Sequence, residues 1–418
     1  MLQTLPDLRE RSDLILTLAR VLHVNGQSTG ETLAACERLG SSLGLRAKII
    51  PAWAQLQLQT GDLETISIVI EAPIALDMHR VALAMHSNDE LIEGKLTPSD
   101  SLVTINAISK APPAPTWLFT LASAAGAAAL SVIFGVQHSI SVVLIAVSAA
   151  AGAVMRRTLA HQISNPLPQP FCAALVAGII GALGVHYQLS SSLRLIAVCP
   201  CMILVPGPHI LNGMMDLAAL RVTLGASRLI YAGLVILAIS SGLLVGLSML
   251  NVSLPVDSPS ITVPLWLDVI AAGIAVAAFG IFFSMPLRTL VWPVGIGMLA
   301  HAIRWLTLAG GAELALGTFI ACVIAGLVLT PVARRFHMPF AAVGFAAVVS
   351  MMPGAFLFRM VSGFVQLTNS SNPTSDLLSG TIANGIVAIN IILAMSFGLL
   401  VSKIVVDRIS DGRNKTMS

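Results

Sequence analysis

Val205-Pro206-Gly207-Pro208-His209-Ile210-Leu211-Asn212-Gly213-Met214-Met215-Asp216 decides how the rest of this chain is read. Its first half lies in a largely apolar run, residues 193–213, of the length that crosses a bilayer. Yet the run is interrupted by proline and glycine. Proline removes a backbone donor and glycine relaxes the helix, and lipid cannot satisfy the carbonyl and amide groups set free. Such a break is tolerated only beside protein or water. Just past it, His209, Asn212 and Asp216 follow at intervals of three and four, which places them on one helical face.

Working outward, a second break of the same kind stands at Met352-Pro353-Gly354, inside the apolar stretch 339–364, with Arg359 five residues on. Counting apolar stretches gives ten spans, roughly 117–136, 139–155, 171–188, 193–213, 228–250, 263–283, 289–308, 312–333, 339–364 and 379–405. The two breaks fall in the fourth and ninth, equivalent places if the membrane part is two five-span halves. Five is odd, so the second half enters from the opposite side. This predicts an all-α polytopic membrane protein of about ten transmembrane helices in two inverted five-helix repeats. Secondary transporters built this way hold their sites near the bilayer midplane and use interrupted helices.

Composition agrees. Of 418 residues, 56% are hydrophobic and 10% charged, against about 25% charged in soluble proteins. The charge is unevenly spread. Residues 1–110 hold nine Lys/Arg and thirteen Asp/Glu, whereas 111–418 hold fourteen and seven. The proline-rich Ala111-Pro112-Pro113-Ala114-Pro115 marks the change. The expected organisation is a small α/β cytosolic domain at 1–110, repeats at 111–250 and 263–405, and a cytosolic tail at 406–418. Helices are expected at 8–24, 28–43, 77–87 and 98–109, and strands at 47–59 and 65–72. The net charge of +3 reports no nucleic-acid surface, since the basic residues sit at membrane edges.

Orientation follows from the basic residues, which concentrate on cytoplasmic loops. Eleven lie on one side (Arg156, Arg157, Arg221, Arg228, Arg288, Arg334, Arg335, Lys403, Arg408, Arg413 and Lys415), and Arg194 and Arg304 lie on the other. With a polar start lacking a signal-peptide core, both termini are expected in the cytoplasm, with the chain in a bacterial inner membrane. The scattered cysteines, Cys199-Pro200-Cys201 included, suit small core residues better than disulfides. No Walker loop, metal-ligand spacing, nucleophile elbow or catalytic set is present. The expectation is therefore a transporter without cofactor or metal, and not an enzyme.

The candidate pathway residues are Pro206, Gly207, His209, Asn212, Asp216, Pro353, Gly354, Arg359 and Asn384. Arginine matches a carboxylate with a fork of donors, and histidine titrates near physiological pH. Arg359 would thus take a substrate carboxylate, while Asp216 would hold an ammonium group or, with His209, carry a proton. A purely structural Asp216–Arg359 bridge is the competing reading. Asp268, Glu313, His301 and Arg304 read as helix-end or packing residues, and Ser28, Thr29 and Glu31 as a helix start.

Pro206-Gly207, Asn212, Asp216, Gly225 and Arg228, then Ala333-Arg334-Arg335, Pro339, Met352-Pro353-Gly354 and Arg359, resemble the two motif blocks of the threonine/serine exporters. Gly26-Gln27-Ser28-Thr29 and the stretch from Leu39-Gly40 to Leu43-Gly44 extend the resemblance into the N-terminal module. It implies ten transmembrane helices, a cytosolic N-terminal module, and export of small amino acids driven by protons. Split relatives are associated with dicarboxylate export, the alternative substrate class. A membrane-anchored enzyme or sensor is a further alternative. The chain departs from the family pattern at Pro208-His209 and Leu220, beside the site.

Overall fold

A computed structural model describes residues 8–59, 65–188, 193–254, 263–369 and 374–417. The N-terminal segment holds helices α1 (Leu8–Val24), α2 (Thr29–Ser42), α3 (Met78–Ile92) and α4 (Pro98–Ser109). With them stands an antiparallel sheet of β1 (Lys48–Ala52), β2 (Gln55–Gln59) and β3 (Thr65–Val69), in that order. The stretch 47–59, expected as one strand, folds into two because the chain turns at Trp53-Ala54 and pairs Ala52 with Gln55. Apolar residues of α1, among them Leu14, Ile15, Leu18 and Leu22, pack with Leu39, Leu56, Leu58 and Val81 in a core of their own.

The helices start where local chemistry supplies partners for their free amides. The Ser28 hydroxyl accepts from Glu31 N, Asp77 accepts from Arg80 N, and Thr97 accepts from Asp100 N. Cys36 lies in this core, where burial pushes its thiol up to about 12. All five cysteines are free.

The remaining helices are α5 (Thr116–Ile133), α6 (Ser139–Gln162), α7 (Pro168–His186), α8 (Leu193–Met202), α9 (Gly207–Ala218) and α10 (Val222–Ser248). They continue as α11 (Leu265–Phe282), α12 (Val291–Ala309), α13 (Leu314–Arg335), α14 (Phe340–Val348), α15 (Gly354–Asn369) and α16 (Ser375–Met417). Among the described residues, eight helices are long and apolar enough to cross a membrane. The pairs α8–α9 and α14–α15 pass the same test together and bend by 54° and 68°, which gives up to ten spans. Both bends fall at the Pro-Gly positions. Residues 255–262, between the two expected repeats, lie outside the described residues, as does the side chain of Arg194.

Close packing in the first half rests on small residues. Side chains added at Gly242 and Gly246 of α10 would overlap the Phe171 and Leu175 carbonyls of α7, so the two backbones touch. The N-terminal segment sits across one end of the bundle, here the near end. Met78 N donates to the Phe283 carbonyl at 2.9 Å, His337 meets Asp89 at 3.0 Å, and Lys403 meets Glu31 at 3.2 Å. At the far end, Ser362 and Gln366 of α15 both donate to the Leu254 carbonyl.

Candidate functional site: a buried aspartate–arginine pair beneath the N-terminal segment

The two breaks cross each other. A side chain at Gly207, the first residue of α9, would overlap the Phe345 ring of α14, the helix that precedes the second break. Reciprocally, a side chain at Gly354, the first residue of α15, would come 3.0 Å from Met202 at the end of α8. Each break is thus built against the rod that leads into the other, and at Gly207 only glycine leaves room. Pro206 and Pro353 precede these contacts. The Pro206 carbonyl accepts from His209 N at 3.1 Å, and the Pro353 carbonyl accepts from Leu357 N at 3.1 Å.

From the crossing the two rods run apart. Asp216 lies nine residues past Gly207, about 13 Å along α9 toward the near end. Arg359 lies five residues past Gly354, about 8 Å along α15 toward the far end. The structure gives Asp216 other partners. Its Oδ2 stands 3.0 Å from Arg228 Nε and its Oδ1 stands 3.4 Å from Arg221 Nη1. The Thr29 hydroxyl, in the first turn of α2, donates to Oδ2 at 3.0 Å. A helix N-terminus carries partial positive charge, so α2 presents a complementary end to this carboxylate. Asp216 is 1% exposed and Arg228 0%.

Arg228 is the unusual member. Beyond the ion pair with Asp216, its Nη1 and Nη2 find no hydrogen-bond partner among the described residues, nor does the neighbouring Asn212 Oδ1. A buried guanidinium with idle donors is costly unless something fills it. Asn212, one turn before Asp216, donates to the Gly26 carbonyl at 3.1 Å. Gly26 takes φ +91°, and a side chain there would overlap Leu76, so this loop turns in a form that glycine supplies. His209 is buried edge-on against the Tyr231 ring at 5.1 Å, and Tyr231 meets Trp53 of the N-terminal segment at 5.2 Å.

Arg359 and Asn384 belong to the other arm. Arg359 is buried on α15 with its guanidinium 5.7 Å from the Phe356 ring. Asn384 is buried on α16 and donates to the Gly380 carbonyl at 2.7 Å. The structure therefore brings together His209, Asn212 and Asp216 beneath the N-terminal segment, and holds Arg359 and Asn384 away from them along the far arm.

A threonine/serine exporter family, ThrE, matches residues 13–250, and a second threonine/serine exporter family, also ThrE, matches residues 268–405. The chain belongs to the threonine/serine exporters. It carries both parts in one polypeptide, as its fused motif blocks indicate, and it is a multi-pass membrane transporter. No solved structure matches the chain.

Sequence reasoning missed three members of this exporter's buried cluster. Arg228 was read as a loop cation, because the span was expected to begin there, whereas α10 begins at Val222 and draws Arg228 inside. Thr29 does begin a helix, but its hydroxyl is spent on a residue 187 positions away. Tyr231, one turn past Arg228, carried no polar pattern of its own. The signal that could have found Arg228 is its place in the motif with Asp216.

Proposed function

We propose that the chain is a secondary exporter of small amino acids of the threonine/serine type, working as a proton antiporter in a bacterial inner membrane with both termini in the cytoplasm. The observation that carries this reading is the buried Arg228 guanidinium with two idle donor groups, held beside the Asp216 carboxylate. A zwitterion offers the matching pair. Its carboxylate takes the arginine fork and its ammonium takes Asp216. Arg228 thereby assumes the part first expected of Arg359, and Arg359 with Asn384 serves the far arm of the pathway. His209 and Asn212 line the near arm, and the reciprocal packing of the breaks supports two inverted repeats.

In this reading the N-terminal segment is the near gate. It holds α9 through Thr29 and Gly26, and reaches the second half through Phe283, His337 and Lys403, so it bridges both halves across the site. Opening would need these latches to release as the halves rock about the crossing at Gly207 and Gly354. A second guanidinium, Arg221, stands at the same carboxylate and favours the dicarboxylate alternative, in which both arginines address anions. Counterflow in proteoliposomes loaded with threonine, serine or succinate tests the choice. Exchange of threonine and serine is expected; exchange of succinate alone would overturn the amino-acid reading.

A further inference from the structure

Far from the Asp216 cluster, three polar side chains from three elements join in the interior of the second half. Asp268 lies in the first turn of α11, at the far end, and its Oδ2 stands 2.8 Å from His301 Nδ1 on α12. His301 Nε2 in turn meets the Ser350 hydroxyl at 2.5 Å. Ser350 belongs to the 3-10 turn Val349–Met351, immediately before Met352-Pro353-Gly354. Exposures are 7% for Asp268, 0% for His301 and 1% for Ser350. The chain of contacts thus runs inward from one helix turn below the far surface to the second break.

Such groups are expensive among apolar helices, and packing alone would be served by alanine or leucine. Their order is informative. A carboxylate fixes one imidazole nitrogen, the other nitrogen faces a hydroxyl, and the hydroxyl sits where the backbone breaks. Imidazole is the side chain that can accept a proton at one nitrogen and release one from the other. Among the described residues, Asp268 and Arg304 are the charged groups that act on it. Asp268 faces it from α11 and Arg304 lies one turn on along α12, donating through Nε to Thr318 of α13 at 3.3 Å. Cys322 of α13 is buried near Arg304, and α14 contributes only apolar residues and glycine.

We infer that Asp268, His301 and Ser350 form the site that takes up the coupling proton from the far side and hands it to the second break. The inference rests on the transport reading above and adds the coupling route to it. A proton taken up from the far side protonates Asp268, whose O–H then faces a bare His301 Nδ1 while Nε2–H donates to Ser350. That proton passes from Asp268 to Nδ1, leaving the carboxylate against Nδ1–H. His301 Nε2 then gives its own proton to Ser350, whose hydroxyl proton leaves to water entering the break. One proton enters and one departs, and exchange of the imidazole tautomer with rotation of the hydroxyl restores the start. No bond other than O–H and N–H is made or broken.

The test is the ratio of proton-driven threonine efflux to threonine–threonine counterflow, which moves no net proton, in proteoliposomes with a trapped pH dye. Asp268→Asn, His301→Gln and Ser350→Ala are each expected to lower that ratio at least tenfold relative to the unaltered protein. A merely structural role would lower both fluxes together and leave the ratio unchanged, and that result overturns the relay. Loss of both fluxes in all three variants, or net threonine efflux by the unaltered protein without proton movement, overturns it as well. Ser350→Ala removes one oxygen and keeps the test available if the other variants fail to insert. Failure of the unaltered protein to move threonine at all would instead strike the transport reading.

Discussion

Thr29 and Asp216, 187 positions apart, are joined by a hydrogen bond of 3.0 Å from the threonine hydroxyl to the aspartate Oδ2. The bond ties the first turn of α2 to the buried carboxylate on the arm that follows the first break. It makes the N-terminal segment part of the buried Asp216 cluster.

Loss of that bond should loosen the latch before it harms the bundle. A hydrogen bond to a charged group contributes about 1.5–3 kcal/mol, roughly a ten- to hundred-fold shift in an opening equilibrium. Thr29→Ala is expected to speed amide exchange over residues 26–32 by that factor, with α5 and α11 unaffected. Exchange measured by mass spectrometry on the purified protein checks this. Unchanged protection over 26–32 would mean that the bond holds nothing.

The same seam should respond to acid through His23. Its pKa is lowered to about 3, first because burial disfavours the charged imidazole and then because Arg228 stands near. The folded state resists a proton that the unfolded chain accepts near 6.5. Stability held by neutral His23 is therefore complete above pH 6.5 and is lost as the pH falls from 6.5 toward 3, at about 1.4 kcal/mol per pH unit. His23→Gln should flatten the fall in melting temperature between pH 6.5 and 4.5. An equal fall in the variant would assign the acid sensitivity elsewhere.

The crossing of the breaks predicts a rescue. Gly207→Ala should drive a methyl group into the Phe345 ring and cut export at least tenfold, while Phe345→Ala alone has a smaller effect. The double variant should recover much of the loss, because the ring that blocks the methyl is gone. Additive losses in the efflux assay would show that Gly207 serves a purpose other than room for Phe345.

The spans, the two breaks and most helices of the N-terminal segment were legible because each has a local cause: apolar length, Pro-Gly interruption, or a capping Ser, Asp or Thr. The clustering of Asn212 and Asp216 was legible from their spacing. What stayed hidden was long-range pairing. Asp216 and Arg359 each follow a Pro-Gly break and so read as partners, yet the broken rods run in opposite directions from the crossing, so the two residues diverge. Ser350 was invisible for a related reason. A lone serine in an apolar run acquires meaning only when His301, 49 positions earlier, is folded against it.

The central claim is that Arg228 takes the substrate carboxylate and Asp216 its ammonium, and binding by the purified protein tests it most directly. The unaltered protein should bind L-threonine at least tenfold more tightly than threonine amide, which lacks the carboxylate, or N-acetylthreonine, which lacks the ammonium. Arg228→Gln should erase the preference over the amide, and Asp216→Asn the preference over the acetylated form. Preferences that survive intact in both variants would contradict the account and place the zwitterion elsewhere.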